Sequence, residues 1–181
     1  MTTKISFRRA TSEDVPFVAW TVLTALDLPT DDMSRAEMAC SQDDSLYSWR
    51  HAMLAVVGEK TVGCLISYNG GKYLSLREHT WKTIWAVDDI DLQRIEAETT
   101  NGEYYLDSMA ILPEYRGMGI GKLLIQDAIS KGKEHGCDSS TLIVSQQKPK
   151  LQAYYSTLGF KVCGMIDFFG HKYNKMILKN N

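Results

Sequence analysis

The chain has 181 residues and a net charge of −2, and 44% of its residues are hydrophobic. This balance is typical of a globular protein with one domain and a sizeable core. A net charge so close to zero argues against an overall field that attracts nucleic acid or membranes. No apolar run approaches the roughly 18 residues of a membrane span.

The N-terminus and the cysteines predict the cellular compartment. The segment MTTKISFRRA lacks the apolar centre of a secretory signal peptide. The four cysteines contain no C-x-x-C pair, so we expect reduced thiols rather than disulfides, and no metal site. They are Cys40, Cys64, Cys137 and Cys163. We therefore expect a cytoplasmic protein that binds no metal, no nucleic acid and no membrane.

Predicted strands and helices alternate along the chain without a regular βαβ rhythm. The first half reads as a strand at Lys4–Arg9, a helix capped by Thr11 or Ser12, a helix within Met33–Cys40, a hairpin of Met53–Val57 and Thr61–Tyr68, and a helix at Tyr73–Trp85. The second half reads as mixed loop and helix at Asp88–Gly102, a strand at Tyr104–Leu112, a helix at Gly119–His135, a strand at Thr141–Val144, a helix at Lys150–Leu158 and two closing strands from Phe160. This order favours an α/β fold with a mixed sheet and helices on both faces.

The segment PEYRGMGIGKLL places Gly117, Gly119 and Gly121 between a predicted strand and a predicted helix. The first N–H groups of a helix are unpaired, and glycines let an anion approach the backbone. The segment therefore predicts a phosphate site, with a flexible loop as the alternative. It is not a P-loop, because arginine replaces the first glycine, and it is not the dinucleotide fingerprint, because lysine replaces the last one.

Two segments resemble motifs of the GNAT superfamily of N-acetyltransferases. LDSMAILPEYRGMGIGKLLIQDAI is similar to the central motif (R/Q)-x-x-G-x-(G/A), with Arg116, Gly119 and Gly121 in the fixed places. LQAYYSTLGF is similar to a later helix-and-strand element, with Tyr155 four residues before Gly159. The resemblance implies a strongly bent mixed sheet of about seven strands. It also implies that acetyl-CoA lies where the fourth and fifth strands separate.

The resemblance further implies which residues hold acetyl-CoA. Backbone N–H groups of the glycine loop would hold the pyrophosphate, and the preceding strand would offer backbone groups to the pantetheine arm and the thioester. The loop residues are Arg116, Gly117, Met118, Gly119, Ile120, Gly121 and Lys122, and the strand residues are Met109, Ala110 and Ile111. Residues 104–181 carry 10 Lys/Arg and 6 Asp/Glu, a net charge of +4 that suits a polyanion.

The resemblance assigns Tyr155 as the general acid that protonates the leaving CoA thiolate. A tyrosine with a pKa near ~10 is protonated at neutral pH and can donate. The alternative is an aromatic side chain that packs with its hydroxyl in water. One departure concerns Lys148 and Leu151, which stand where the family often has asparagine and alanine. The cofactor contact that the asparagine makes is therefore in doubt.

The resemblance also points to a general base, because Asp107 occupies a place where some family members carry a catalytic histidine or acid. Glu103 is the next candidate. Strand alternation would place Asp107 on one face with Tyr105 and Met109. An ordinary aspartate has a pKa near ~3.9 and is a weak base, so Asp107 would need burial. Its alternative role is to orient the substrate or a neighbouring loop. The four histidines show no partner spacing and are interpreted as structural.

These features predict an N-acetyltransferase that moves the acetyl group of acetyl-CoA to a primary amine. We expect one domain over residues 1–181, with acceptor-side helices in 1–102 and the acetyl-CoA-binding part in 103–181. The segments Asp27–Asp44 and Asp88–Glu103 each carry a net charge of −5, from which we predict a small cationic amine as the acceptor. A solvated acidic face is the alternative interpretation of the same charge. A peptide amine, at a protein N-terminus or a lysine, and a non-catalytic CoA-binding module remain alternatives. A homodimer is an expectation that rests on the family alone.

Overall fold

A computed structural model describes residues 4–85, 95–168 and 170–180. Seven strands within these ranges form one mixed sheet in the order β1-β2-β3-β4-β5-β7-β6. The strands are β1 Ile5–Arg9, β2 Ala52–Val57, β3 Lys60–Asn69, β4 Glu103–Ile111, β5 Ser139–Ser145, β6 Lys161–Phe168 and β7 His171–Lys179. The helices are α1 Val15–Ala25, α2 Ser34–Ser41, α3 Tyr73–Trp85, α4 Ile120–Glu134 and α5 Pro149–Thr157.

The structure confirms the predicted strands and helices within a few residues of their ends. Thr11 caps a short 3-10 turn that leads into α1, and its backbone N–H donates to the Asp14 carboxylate at 2.8 Å. Gly136, with a φ of 69°, follows the end of α4 as predicted. Much of the segment predicted as mixed loop and helix, residues 88–94, lies outside the described residues. Its remainder, residues 95–102, is irregular.

The sheet separates two hydrophobic cores, so helices cover both of its faces as predicted. Side chains of α1, α2 and α3 fill one core, among them Val22, Ala39 and Trp81. Side chains of α4 fill the other core, with Leu124 and Ile125 fully buried. Partly buried side chains of α5 pack against the same side. Each helix face thus finds an apolar sheet face to cover.

Strands β4 and β5 run parallel but pair over three residues only. The pairs run from Glu103 with Ser139 to Tyr105 with Thr141. Strand β5 continues beyond them alongside β7, as far as Ser145. The two strands therefore separate after Tyr105, and the second half of β4 has no described strand partner on the β5 side. The gap expected between the fourth and fifth strands is present.

A β-bulge lies in the centre of β4 at Asp107. Leu106 pairs with Ser67 and Ser108 pairs with Ile66, so Asp107 is one extra residue on β4. A bulge of this kind shifts the alternation of side chains by one residue. Tyr105 packs in the α1–α3 core, whereas Met109 packs against the α4 side. The prediction that Tyr105, Asp107 and Met109 share one face is therefore wrong for Met109.

The structure bears on the expectations about membrane spans, cysteines and metal sites. Among the described helices, none is long and apolar enough to cross a membrane. The four cysteines are free thiols, three of them buried and Cys163 exposed. Within the described ranges, no group of three or more His, Cys, Asp or Glu side chains is arranged to hold a metal ion.

Candidate active site

The glycine loop between β4 and α4 adopts backbone geometry that requires glycine. Gly117 has a φ of 77° and Gly119 a φ of 79°, in the left-handed region that other residues rarely occupy. A Cβ added at either position would meet no atom within 4 Å. The space in front of both glycines is therefore open to a ligand. The loop combines a backbone conformation that requires glycine with the absence of side chains that would cover its N–H groups.

The backbone N–H groups of Gly117 and of Gly119 through Lys122 have no hydrogen-bond acceptor among the described residues. The Met118 N–H, between them, closes a turn around Arg116 and Gly117. The first helical bond of α4 runs from the N–H of Leu123 to the carbonyl of Gly119, at 3.2 Å. Arg116 also differs from these free groups, because its own N–H donates to the carbonyl of Pro113 at 3.2 Å. The N–H of Arg116, which the prediction included among the phosphate donors, is therefore already paired within the protein. Free N–H groups at a helix N-terminus form an anion site.

Arg116 acts on the loop through its side chain. Its Nε donates to the carbonyl of Ile111, the last residue of β4, at 3.1 Å. This contact links the end of the strand to the start of the glycine loop. The side chain itself is exposed. Arg116 therefore holds the shape of the loop, while its positive charge remains near the open N–H groups.

The strand residues expected to contact the cofactor lie beside the gap. On one side they pair with β3: Met109 with Leu65, Ala110 with Cys64 and Ile111 with Gly63. Strand backbones direct about half of their N–H and C=O groups to each side. The groups of this half of β4 that face away from β3 have no described strand partner. They are available to an extended ligand that enters between β4 and β5.

Tyr155 projects from α5 into the α4-side core. Its ring contacts Tyr154 and Phe160 at centroid distances of 5.7 and 6.2 Å. No described residue forms a hydrogen bond with its hydroxyl. Burial, with a smaller effect of Tyr154, raises the pKa of Tyr155 to about 12. The hydroxyl therefore stays protonated at neutral pH and can donate.

Tyr154 points elsewhere, as neighbouring residues of a helix do. Its hydroxyl lies 3.5 Å from the position that a Cβ on Gly121 would occupy. It thus lies near the first turn of α4. The rings of the two tyrosines are tilted by 53° relative to each other.

Asp107 lies on the opposite side of β4 from Met109, at the bulge. Its carboxylate accepts hydrogen bonds from the hydroxyls of Tyr68 and of Ser108, the latter at 2.8 Å. Burial raises the pKa of Asp107 to about 6, although both hydrogen bonds act in the other direction. The burial that a basic aspartate needs is present. A small edge of the side chain remains exposed.

Glu98 is a second buried carboxyl group that the sequence reading did not single out. It accepts hydrogen bonds from the hydroxyls of Tyr73 at 2.6 Å and of Tyr105 at 2.5 Å. Burial, and next the charge of Asp107, raise the pKa of Glu98 to about 7. The acidic composition of residues 88–103 was the only signal in the sequence, and it did not separate Glu98 from its neighbours.

The two carboxyl groups and the surrounding tyrosines form one cluster, which we call the carboxyl–tyrosine cluster. The tyrosines are Tyr47, Tyr68, Tyr73 and Tyr105. Burial raises the pKa of each hydroxyl, so all four are protonated at neutral pH. The cluster lies in the core that α1, α2 and α3 cover. It presents buried negative charge beside the strand gap.

Glu103, the second candidate base, has a structural role instead. Its carboxylate forms an ion pair with Lys175 at 2.8 Å and accepts from Thr99 at 2.9 Å. It lies at the start of β4, where that strand still pairs with β5. An ion-paired carboxylate at the closed end of the gap is poorly placed to accept a proton. Glu103 is therefore set aside as the base.

The first acidic segment, Asp27–Asp44, is largely paired with basic or polar groups. Asp43 forms an ion pair with Arg50, and Asp44 lies 3.4 Å from His79. Asp32 accepts from the Ser34 hydroxyl at 2.7 Å. These contacts reduce the field that the segment can extend toward an acceptor. Among the described residues of the second segment, Glu98 is the carboxyl group whose pKa the charge of Asp107 raises.

Lys148, which replaces the family's frequent asparagine, forms an ion pair with Asp27. Asp27 follows α1 and has a φ of 56°, an uncommon value for a non-glycine residue. The pair joins the segment after α1 to the start of α5, across 121 residues of sequence. Lys148 therefore contributes a contact within the protein at a place where the family often has a cofactor ligand.

One match to a family model identifies the family of the chain. A model of the Acetyltransferase (GNAT) family matches residues 22–160. The chain belongs to this family. The family match and the seven-stranded sheet confirm both the resemblance and the predicted fold class.

Curated relatives in the GNAT family are similar over part of their length. The chain is 32% identical over 71 residues to the peptidyl-lysine N-acetyltransferase YjaB of Escherichia coli (strain K12), covering 38% of this chain and 45% of that protein. It is 35% identical over 60 residues to a thialysine N-epsilon-acetyltransferase of Sus scrofa, covering 33% and 35%. The chain thus aligns with less than half the length of each of these two relatives.

Solved structures share the fold over nearly the whole chain. An N-acetyltransferase from Staphylococcus aureus Mu50 has a TM-score of 0.79 at 23% identity, covering 96% of this chain and 100% of that one. A second structure, described as an acetyltransferase, has a TM-score of 0.76 at 24% identity, with coverage of 97% and 100%. These likenesses show the GNAT fold in this chain.

Proposed function

We propose that the protein is an N-acetyltransferase that transfers the acetyl group of acetyl-CoA directly to a primary amine. The observation that carries this proposal is the set of free N–H groups of Gly117 and of Gly119 through Lys122, beside the gap between β4 and β5. A pyrophosphate needs such donors, and an extended thiol arm needs a gap between strands. Family membership supports the same activity.

The open space at the glycine loop supports acetyl-CoA as the ligand. Gly117 and Gly119 leave open space where any larger side chain would intrude. Acetyl-CoA supplies an activated thioester carbonyl. The free backbone groups of Met109 through Ile111 would hold the pantetheine arm and donate to the carbonyl oxygen as it gains negative charge. Preorganised backbone donors of this kind need no reorganisation during the reaction.

Asp107 would accept a proton from the substrate ammonium, directly or through water. An alkyl ammonium with a pKa near ~10 must lose a proton before its nitrogen can attack. A carboxylate whose pKa is raised to about 6 is a better base than an ordinary aspartate and is still mostly ionised at pH 7. Tyr68 and Ser108 hold this carboxylate in place.

Tyr155 would donate its hydroxyl proton to the sulfur as the C–S bond breaks. Its raised pKa keeps the proton on the oxygen until the thiolate appears. Its hydroxyl, unlike the hydroxyls of Tyr73 and Tyr105, has no described protein acceptor, so the donor is available to a ligand. CoA would then leave as the neutral thiol, and the amine nitrogen would keep the acetyl group.

The acceptor that the carboxyl–tyrosine cluster favours is a small cationic amine. Asp107, mostly ionised at pH 7, and Glu98, whose pKa is raised to about 7 and which is therefore partly ionised, supply negative charge beside the gap, and both side chains are partly exposed. A diamine could place one nitrogen at the thioester and its second ammonium near Glu98. Acidic side chains on the surface contribute less to this selection than their number suggests, because several of them are already paired.

A peptide lysine is the second candidate acceptor. The similarity to YjaB, named a peptidyl-lysine N-acetyltransferase, supports it over 71 residues. A lysine side chain carries the same primary amine as a diamine but lacks the second ammonium at the far end. The two candidates therefore differ in whether a second positive charge improves the reaction.

Steady-state kinetics with matched acceptors would test the proposal. We would compare 1,4-diaminobutane, butylamine and a lysine-containing peptide, following CoA thiol release at low and high salt. The small cationic acceptor predicts the highest kcat/KM for the diamine, decreasing as salt screens the carboxylates. A preference for the peptide supports the second candidate. Thiol release that depends on none of the three amines contradicts a primary-amine acceptor of these classes.

A further inference from the structure

A cavity lies at the end of the sheet opposite the glycine loop. It has a volume of about 580 Å³ and is bounded by the ends of β1 and β3, the segment before α3 and the residues around the start of β4. Tyr104, in its wall, precedes Ile111 by seven strand residues, which correspond to roughly 23 Å. The cavity is therefore separate from the proposed pyrophosphate cradle. Its volume is within the usual range for small-molecule sites.

The wall of this cavity is basic. Arg9, Arg50 and Lys72 contribute three permanent cations, together with the imidazoles of His51 and His135. The described lining contains no aspartate or glutamate. The net charge of the whole chain is −2, whereas the charged side chains of this cavity wall are all positive. Such a wall attracts anions and repels the amines proposed for the other site.

Two of these cations have no protein partner in the described part of the chain. The side chains of Arg9 and Lys72 form no described hydrogen bond or ion pair, whereas Arg50 is paired with Asp43. Their guanidinium and ammonium donors are thus available to a ligand. Asn69 and Asn101 add neutral amides to the same wall. An arginine can hold a carboxylate or phosphate with two parallel hydrogen bonds.

The charges of Arg9 and Lys72 produce a positive field at side chains in the cavity wall. Burial lowers the pKa of His51, and the charges of Lys72 and Arg9 lower it further. The charge of Arg9 also acts to lower the pKa of Tyr104, although burial raises that pKa overall. The ring of Tyr104 stacks on His135 at a centroid distance of 5.6 Å with an interplanar angle of 15°. Arg9 and Lys72 therefore direct charge toward one space from β1 and from the segment before α3. The stacked rings and Leu76 offer an apolar surface beside it.

From this geometry we propose that the cavity binds a small organic anion with two or more negative charges. Phosphate esters and polycarboxylates share the chemistry that Arg9 and Lys72 recognise. The ligand lies one side chain away from the proposed base, because Tyr68 lines the cavity and its hydroxyl donates to Asp107. The site is distinct from those for acetyl-CoA and the amine.

Calorimetry would test the site with pyrophosphate and citrate as probes and acetate as the singly charged comparison. Each titration is done without CoA and again with saturating CoA, which occupies the glycine loop. We expect binding of at least one multiply charged probe in the presence of CoA, and much weaker binding of acetate. Binding of pyrophosphate alone identifies a phosphate site, and binding of citrate as well identifies a general polyanion site.

The decisive variant combines Arg9→Gln with Lys72→Gln, both exposed positions whose replacement should leave the fold intact. We expect probe affinity to fall about tenfold for each charge-assisted hydrogen bond lost. The matched control combines Lys161→Gln with Lys172→Gln, exposed lysines on β6 and β7 that remove the same charge elsewhere.

Three results would overturn the inference. They are no probe binding at millimolar concentration, equal losses in the two double variants, and complete displacement of the probes by CoA. The comparison of the two double variants holds whether or not the protein binds CoA or transfers acetyl groups. Failure of this inference is therefore distinguishable from failure of the proposed function.

Discussion

Replacing Gly119 by valine tests the cradle most sharply, because its backbone geometry and its open surroundings are both known. At a φ of 79°, any side chain is strained, and a valine would also fill the space in front of the free N–H groups. A hydrogen bond to a charged group contributes about 1.5–3 kcal/mol. The loss of two such bonds to the pyrophosphate would weaken CoA binding by about 3–6 kcal/mol, or roughly 10²- to 10⁴-fold.

The matched control is Gly136→Val at the end of α4. Gly136 has a similar φ of 69°, and a Cβ there would also meet no atom within 4 Å. The strain of a left-handed valine should therefore destabilise both variants to a similar extent. Only the variant at residue 119 places the new side chain in the proposed phosphate site.

The assay is calorimetric titration of CoA into each folded variant, after thermal unfolding has shown comparable stability. We expect the Gly136 variant to bind CoA like the parent protein and the Gly119 variant to lose most of its affinity. If the Gly119 variant unfolds cooperatively and keeps an affinity within about threefold of the parent, where one lost bond predicts tenfold or more, the pyrophosphate is held elsewhere.

Three further predictions concern the ionisable groups. Tyr155→Phe should lower kcat about 10²-fold or more while CoA affinity is kept, and the same substitution at Tyr154 should have a smaller effect; equal kcat values for parent and Tyr155→Phe would remove that hydroxyl from the mechanism. For the parent protein, kcat/KM should rise with pH through about 6 as Asp107 deprotonates; Asp107→Asn should abolish this rise, and an unchanged profile would contradict its role as base. The folded-state pKa of Glu98 is raised from 4.5 to about 7, so the protonated side chain stabilises the fold below pH 4.5, and this stabilisation is lost by about pH 8. Between those pH values the unfolding free energy of the parent should therefore decrease by up to about 3 kcal/mol more than that of Glu98→Gln, as measured by urea denaturation. The same pH dependence of the unfolding free energy in parent and variant would count against the buried charge.

Local sequence patterns predicted most of the fold. Glycine at 117 and 119 marked the loop because only glycine tolerates the backbone geometry found there. The period of apolar residues identified α4, and Gly136 ended it. These signals depend on residues close together in the chain, so the sequence carries them directly.

The arrangement around the base could not be predicted in the same way. The bulge at Asp107 depends on the register of β4 against β3, which period-2 alternation does not contain. Glu98 becomes distinctive only when Tyr73 and Tyr105 fold against it. The ion pair between Asp27 and Lys148 likewise joins distant segments. Contacts of this kind arise from tertiary packing and leave no local pattern.

The most direct test of the central claim is amine-dependent release of CoA from acetyl-CoA. The purified protein would be incubated with acetyl-CoA and a panel of primary amines, with the free thiol and the acetylated amine measured in the same reaction. We predict equal amounts of thiol and acetylated amine with the parent protein, and a rate about 10²-fold lower with Tyr155→Phe. Tight CoA binding without any acetylated product across the panel would contradict the account and identify the protein as a CoA-binding module.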